Sequence, residues 1–310
     1  MKKVNKMVIE VDNWVKSYGT FRAVDGVDLS IKEGELFALL GHNGAGKTTL
    51  ISMLSTRIRP TSGRATVLGY DVATQGHLIR QNIGVSPQES AVAPRLSVRE
   101  NIELIGRIYG IPPAQLQARS DALIALMGLE ESSTTQAQKL SGGMARKLSL
   151  IMALISEPKV LFLDEPTLGL DPQARRELWD YIAKLKGKTT ILLTTHYLEE
   201  AQALADTIAI LRHGKIVAQG TADALLKHLE THVTLELETL EVAPLELVTA
   251  LQSLDIEVIQ KERRITLGAK ELDVQKVVDV CREKAQRITW LSMHKNASLE
   301  EVYLQYTKEQ

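Results

Sequence analysis

The chain has 310 residues, a formal net charge of −1, 44% hydrophobic residues and one cysteine; that length suits one large core plus a smaller module. The near-neutral charge, with no obvious basic face, argues against a nucleic-acid partner, and the lone Cys281 excludes an internal disulfide and reads as an ordinary half-buried residue of a reducing compartment. Lys2, Lys3 and Lys6 are not followed by an apolar run of signal-peptide length, and no stretch approaches the roughly 18 apolar residues of a membrane span, so the chain is expected to be soluble by itself.

In chain order, the first 40 residues alternate as strands do: Val8, Ile9, Val11 and Val15, then Ala23, Val24, Val27, Leu29 and Ile31, then Glu35 to Leu40. Tyr18, at the first turn, reads either as a turn aromatic or as a ring able to stack on a base. The apolar run Leu36 to Leu40 leads into Gly41, His42, Asn43, Gly44, Ala45, Gly46, Lys47, Thr48 and Thr49, which fits G-x-x-x-x-G-K-[ST] between a strand and a helix. In a chain of this length the pattern arises by chance on the order of one time in a hundred. Its glycines let backbone N–H groups approach a row of anionic oxygens. The helix expected from Lys47 to Leu54 turns its positive end to them. Lys47 supplies a mobile charge for outer phosphates, and the Thr48 hydroxyl suits Mg²⁺.

A turn at Arg59 to Gly63 and a short strand at Ala65 to Leu68 follow, and then a strand from Ile83 ends near Gln88. From Ser97 the pattern becomes helical over Val98 to Tyr109, Pro113 to Leu126 and Met144 to Ser156, an inserted lobe at about 89–158. Before the last of these helices stand Ser141, Gly142 and Gly143, a second anion-accepting cap that lacks a lysine. The fully apolar strand from Lys159 ends in Asp164 and Glu165, at the edge where open α/β sheets bind ligands. Asp164 is placed to hold Mg²⁺ directly or through water, and Glu165 to orient or deprotonate a water. A turn through Asp171 and Pro172 opens a helix to Lys186. A further buried strand, Thr189 to Thr194, brings His196 to the same edge, where a structural role and a γ-phosphate contact are equally open. Ile208 to Ala218 closes as a hairpin.

Together these residues resemble the ATP-binding cassette (ABC) ATPases over about residues 5–222: an aromatic loop at Tyr18, the phosphate loop at Gly41 to Thr48, a glutamine loop at Gln88, a signature at Leu140 to Gly143, the acidic strand end Asp164-Glu165 with Asp171, and a switch histidine, His196. The resemblance implies a P-loop NTPase (RecA-like) α/β core with an antiparallel β subdomain and an inserted helical subdomain. It implies that Tyr18 stacks on adenine and that Lys47 and the loop backbone hold the phosphates of ATP. It further implies that Thr48, Gln88 and Asp164 serve Mg²⁺, that Glu165 is the general base and that His196 senses the γ-phosphate. It also implies a head-to-tail dimer in which each signature closes its partner's nucleotide. Met144 departs from the glutamine usual after the two glycines, a change that leaves the serine and backbone contacts intact.

The remaining residues, 223–310, alternate as β-α-β-β-α-β with a final helix from Ser298 to Tyr306, the order of a ferredoxin-like α+β module. Such a tail resembles that of the bacterial and ABC-A-like exporter ATPases, where dimer contact or regulation is expected. The combination predicts the ATPase subunit of an exporter, a homodimer by family likeness, held at the cytoplasmic face of the membrane by a separate transmembrane permease. An importer ATPase and a soluble non-transport ABC ATPase are the alternatives.

Overall fold

A computed structural model describes residues 6–89, 91–227, 232–254, 256–269, 272–284, 286–296 and 299–308. Lys2 and Lys3 of the N-terminal cluster, and Ser298, the expected start of the last helix, lie outside them. The chain divides into two compact units, Met1–Ala222 and Asp223–Gln310.

In the first unit the elements run β1 (Met7–Tyr18), β2 (Phe21–Lys32), β3 (Leu36–Leu40), α1 (Lys47–Leu54), β4 (Ser62–Val67), β5 (Tyr70–Asp71), α2 (Gly76–Arg80), β6 (Ile83–Ser86), α3 (Val98–Ile108) and α4 (Pro113–Leu126). After a short 3₁₀ turn come α5 (Gly142–Leu154), β7 (Val160–Asp164), α6 (Pro172–Leu185), β8 (Thr190–Thr195), α7 (Leu198–Leu204), β9 (Thr207–Arg212) and β10 (Lys215–Gly220). The first sheet, ordered β2-β1-β4-β5, is antiparallel, and its alternating pattern buries one face only. The second is ordered β10-β9-β3-β8-β7-β6 and is parallel except for the β9–β10 hairpin.

Strands β3, β7 and β8 are buried at every residue, as a sheet covered on both faces requires. Successive side chains point to opposite faces. Phe37, Phe162 and Leu192 therefore join the core that holds α1 and the antiparallel sheet, whereas Leu36, Leu161, Leu163, Ile191 and Leu193 join the core that holds the helical lobe. The sheet is thus the common wall of two apolar cores. All its parallel strands deliver their C-terminal ends to one edge.

Two boundaries differ from the sequence reading. The strand expected to reach Gln88 ends at Ser86, so Gln88 sits on the loop beyond it. The helix expected from Met144 begins at Gly142, because the Ser141 hydroxyl accepts from the Met144 N–H and caps it there; Gly142 and Gly143 form its first turn. Helix α3 opens with a capping box, in which Ser97 Oγ accepts from the Glu100 N–H and the Glu100 carboxylate accepts from the Ser97 N–H.

Helix α8 (Ala222–Lys227) leads into the second unit: β11 (His232–Thr239), α9 (Leu245–Gln252), β12 (Glu257–Lys261), β13 (Arg264–Ala269), α10 (Val274–Glu283), β14 (Ile288–Asn296) and α11 (Leu299–Lys308). Its sheet is ordered β12-β13-β11-β14 with every neighbouring pair antiparallel. Leu235, Leu237, Ile265 and Leu267 pack on Leu247, Leu251, Val277 and Cys281 of α9 and α10. Cys281 is 1% exposed, fully buried rather than half-buried.

Candidate functional site

At the C-terminal edge of the parallel sheet a cleft of about 300 Å³ is lined by Tyr18, Phe21, Ala23, Asn43, Gly44, Gly46, Lys47, Thr48, Thr49, Gln88 and Glu165. The loop between β3 and α1 forms its floor. That loop is tied to β8 by the Gly41 N–H donating to Thr195 O at 3.2 Å, and to the β9–β10 turn by the Gly214 N–H donating to Ala45 O at 3.0 Å. Only glycine suits position 46: its φ is +109°, and a Cβ there would lie 2.3 Å from Ala23 O. Gly41 is equally confined, since a Cβ would lie 2.6 Å from Leu211 O. Gly41, His42 and Ala45 shape the loop without lining the cleft, and the Ala45 side chain is buried in the core below.

The Lys47 ammonium, 4% exposed, curls back over the loop. It donates to Gly41 O at 2.6 Å and His42 O at 3.1 Å and pairs with Glu165 Oε1 at 3.0 Å. The other carboxylate oxygen, Oε2, lies 3.2 Å from His196 Nδ1. One buried carboxylate is thus held between the loop lysine and the histidine of β8's end. Glu165 stands just past β7 with φ +48°, a left-handed conformation that costs a non-glycine residue on the order of 1 kcal/mol. Its N–H donates to Thr194 O and Oγ1, which fixes that conformation.

Asp164 is 3% exposed and does not line the cleft; its Oδ1 accepts from the Thr194 hydroxyl at 2.6 Å. Thr48 and Gln88 do line it. Oxygen donors alone would therefore face a metal here, and among the described residues no group of three or more His, Cys, Asp or Glu could hold one. That set suits a hard cation that keeps phosphate and water oxygens as ligands.

Tyr18 and Phe21 face each other across the β1–β2 turn and are 51% and 61% exposed at the cleft's mouth, with the Lys16 ammonium 5.0 Å from the centre of the Tyr18 ring. Ser141, Gly142 and Gly143 do not reach this cleft. A Cβ on Gly142 would meet nothing within 4 Å, so this capped helix end is open.

Three residues escaped the sequence reading. Phe21 doubles the aromatic at the mouth. Glu200, fully buried in α7, accepts at Oε1 from Thr167 Oγ1 at 2.9 Å and Trp179 Nε1 at 3.0 Å, and burial pushes its pKa up. Arg146, 5% exposed, donates to the carbonyls of Pro87, Gln88, Asp164, Glu165 and Pro166. Burial pulls its pKa down, while the charges of Asp164, Glu200 and Glu165 oppose that shift. The signal for Arg146 was a cation on the stripe shared with Leu150 and Ala153, at i, i+4 and i+7 of a helix that is otherwise apolar there.

The family described as ABC transporter matches residues 24–168. The daunorubicin resistance ATP-binding protein DrrA3 of Streptomyces coeruleorubidus is 46% identical over 218 residues, which cover 70% of this chain and 69% of that protein. The chain belongs to the ATP-binding subunits of ABC transporters. The Nod factor export ATP-binding protein I of Ralstonia nicotianae is 40% identical over 223 residues, 71% of this ABC subunit and 69% of the relative. Among solved structures, the ATP-binding subunit of an ABC transporter superposes with a TM-score of 0.65 at 30% identity, covering 71% of this chain and 92% of that one. Among the described residues no helix is long and apolar enough to cross a membrane.

Proposed function

We propose that this ABC ATPase powers export by a separate transmembrane permease, that two copies close head to tail on ATP, and that Glu165 is the base that activates the attacking water. The observation carrying this reading is the Glu165 carboxylate, buried at the cleft floor between Lys47 and His196. A carboxylate so placed can take a water's proton as the water attacks the γ-phosphorus. Lys47 and the loop N–H groups hold the departing and transferred phosphates, and His196 orients the γ-phosphate from the opposite side. Tyr18, with Phe21 beside it, offers a face for the adenine ring. Thr48, Gln88 and, through water, Asp164 would hold Mg²⁺, which supplies charge neutralisation between the outer phosphates.

One arrangement supports the dimer. The Ser141 cap and the first-turn N–H groups of α5 form an anion-accepting end that the chain's own cleft does not use, and that end is open. The export reading draws on relatives named for drug resistance and for Nod factor export. The second unit, with its β-α-β-β-α-β order and antiparallel neighbours, reads as a ferredoxin-like accessory module. Through its permease the chain would sit at the cytoplasmic face of the membrane.

Glu165→Gln tests the assignment. ATP binding persists and steady-state hydrolysis falls roughly 10²–10⁴-fold; unchanged turnover would remove Glu165 from the role of base. For the coupling, the chain is expected in the membrane fraction only when a partner permease is co-expressed, and recovery there without one would contradict the proposal.

A further inference from the structure

Three chain segments from different parts of the fold converge: the loop after β6, the end of β7 and the second turn of α5. One guanidinium joins them. Arg146 Nη1 donates to Pro87 O and Gln88 O, each at 2.8 Å; Nη2 donates to Asp164 O at 2.9 Å and to Glu165 O; Nε donates to Pro166 O at 2.7 Å. Each acceptor is a main-chain carbonyl, so the contact sets backbone position rather than charge. A planar fork with several fixed donors can do this; an ammonium, a point charge with three rotatable donors, cannot hold both sides in one plane.

The backbone being held is that of the glutamate whose φ is +48°. On the other side, Arg146 lies five residues into a helix whose cap is Ser141, about 7.5 Å along the axis. The same side chain therefore reaches the Gln88 loop, the Glu165 loop and the helix that carries the open anion-accepting end.

From this geometry we infer that Arg146 is a positioning residue for hydrolysis: it fixes the Glu165 carboxylate relative to the Gln88 loop and to the serine-capped helix, and does not contribute to nucleotide affinity. The inference rests on Glu165 acting as the base. Arg146 lies outside the residues lining the cleft, which is why binding and turnover separate.

The test uses the full chain with Mg-ATP and three variants. Arg146→Lys keeps stem and charge; its kcat falls roughly 10–100-fold, as expected when a reacting group is misplaced by about an ångström. Its affinity for a fluorescent ATP analogue stays within about three-fold of the parent, a shift too small to report a lost nucleotide contact. Leu148→Ala, a core truncation on the same helix, is the comparator for simple destabilisation, since Leu148 is fully buried in the lobe. At matched loss of Tm, Arg146→Lys loses far more kcat than Leu148→Ala. Turnover within two-fold of the parent, or a loss no larger than the comparator's, overturns the inference. If Arg146→Lys does not fold, Arg146→Met is measured against the same criteria, and failure of both to fold also overturns it by reducing Arg146 to a folding role. Glu165→Gln run alongside separates the two ideas: full activity there defeats the base assignment itself, whereas a dead Glu165→Gln beside a fully active Arg146→Lys defeats only the positioning role.

Discussion

Lys47 and Glu165 hold each other in a buried ion pair at 3.0 Å, so before a phosphate arrives the lysine already has an anionic partner. In the proposed binding mode an incoming triphosphate must take that lysine from the carboxylate. Glu165→Gln removes the competitor as well as the proposed base, so it should bind ATP more tightly than the parent, on the order of ten-fold for 1.4 kcal/mol of lost pairing. Titration under non-hydrolysing conditions measures this, and weaker binding would contradict it. Glu200 presents the opposite situation, a carboxyl whose burial favours the neutral form. Its raised pKa means its contribution to stability is fully present below the ordinary glutamate value of about 4.3 and is lost as pH rises through the raised value. Glu200→Gln fixes the neutral form, so its Tm should gain on the parent's as pH is taken from about 4 to about 8. Glu200→Ala leaves the Thr167 hydroxyl and the Trp179 N–H without their acceptor and should cost on the order of 2 kcal/mol. Residues of fixed spacing, Gly41 to Thr49 and Asp164-Glu165, were legible because one short segment carries both the chemistry and its geometry. Arg146 and Glu200 were not, since their partners lie at Gln88, Asp164 to Thr167 and Trp179, far along the chain.

Among the elements, the helix starts were set by chemistry that sequence displays. Ser97 and Glu100 form the reciprocal cap of α3, and Asp171 Oδ1 accepts from the Gln173 and Ala174 N–H groups at the head of α6. Ser97→Ala should lower stability by about 1 kcal/mol in denaturant titration, with no change in the slope. The Ala174 N–H foremost holds the Asp171 carboxyl below the usual carboxylate range. Sequence also marked β3 and β7 as buried strands by their apolar runs, and β8 by its Ile191-Leu192-Leu193 centre. It could not order them: β3 lies between β8 and β9, and β7 beside β6, through crossovers that no local pattern encodes. For the same reason the short helices α2 and α7 went unread; five and seven residues carry too little periodicity to stand out from a loop.

At the level of the whole molecule, each unit has its own apolar interior, and all the residues lining the cleft lie in the first. The only cysteine lies in the interior of the second, where burial raises its pKa. Cys281 should therefore react with a thiol reagent only as that unit opens, giving a labelling rate that follows denaturant concentration; rapid labelling of the native protein would contradict this. The separation between the cleft and the open cap at Ser141 has another outcome. If a nucleotide is embraced by the cleft of one copy and the cap of the next, two individually inactive chains can mend each other. A copy lacking Lys47 still offers its Ser141, and a copy with Ser141 replaced by arginine still offers its Lys47. Mixed in equal amounts they would recover hydrolysis at one composite pocket per pair, while each alone stays silent.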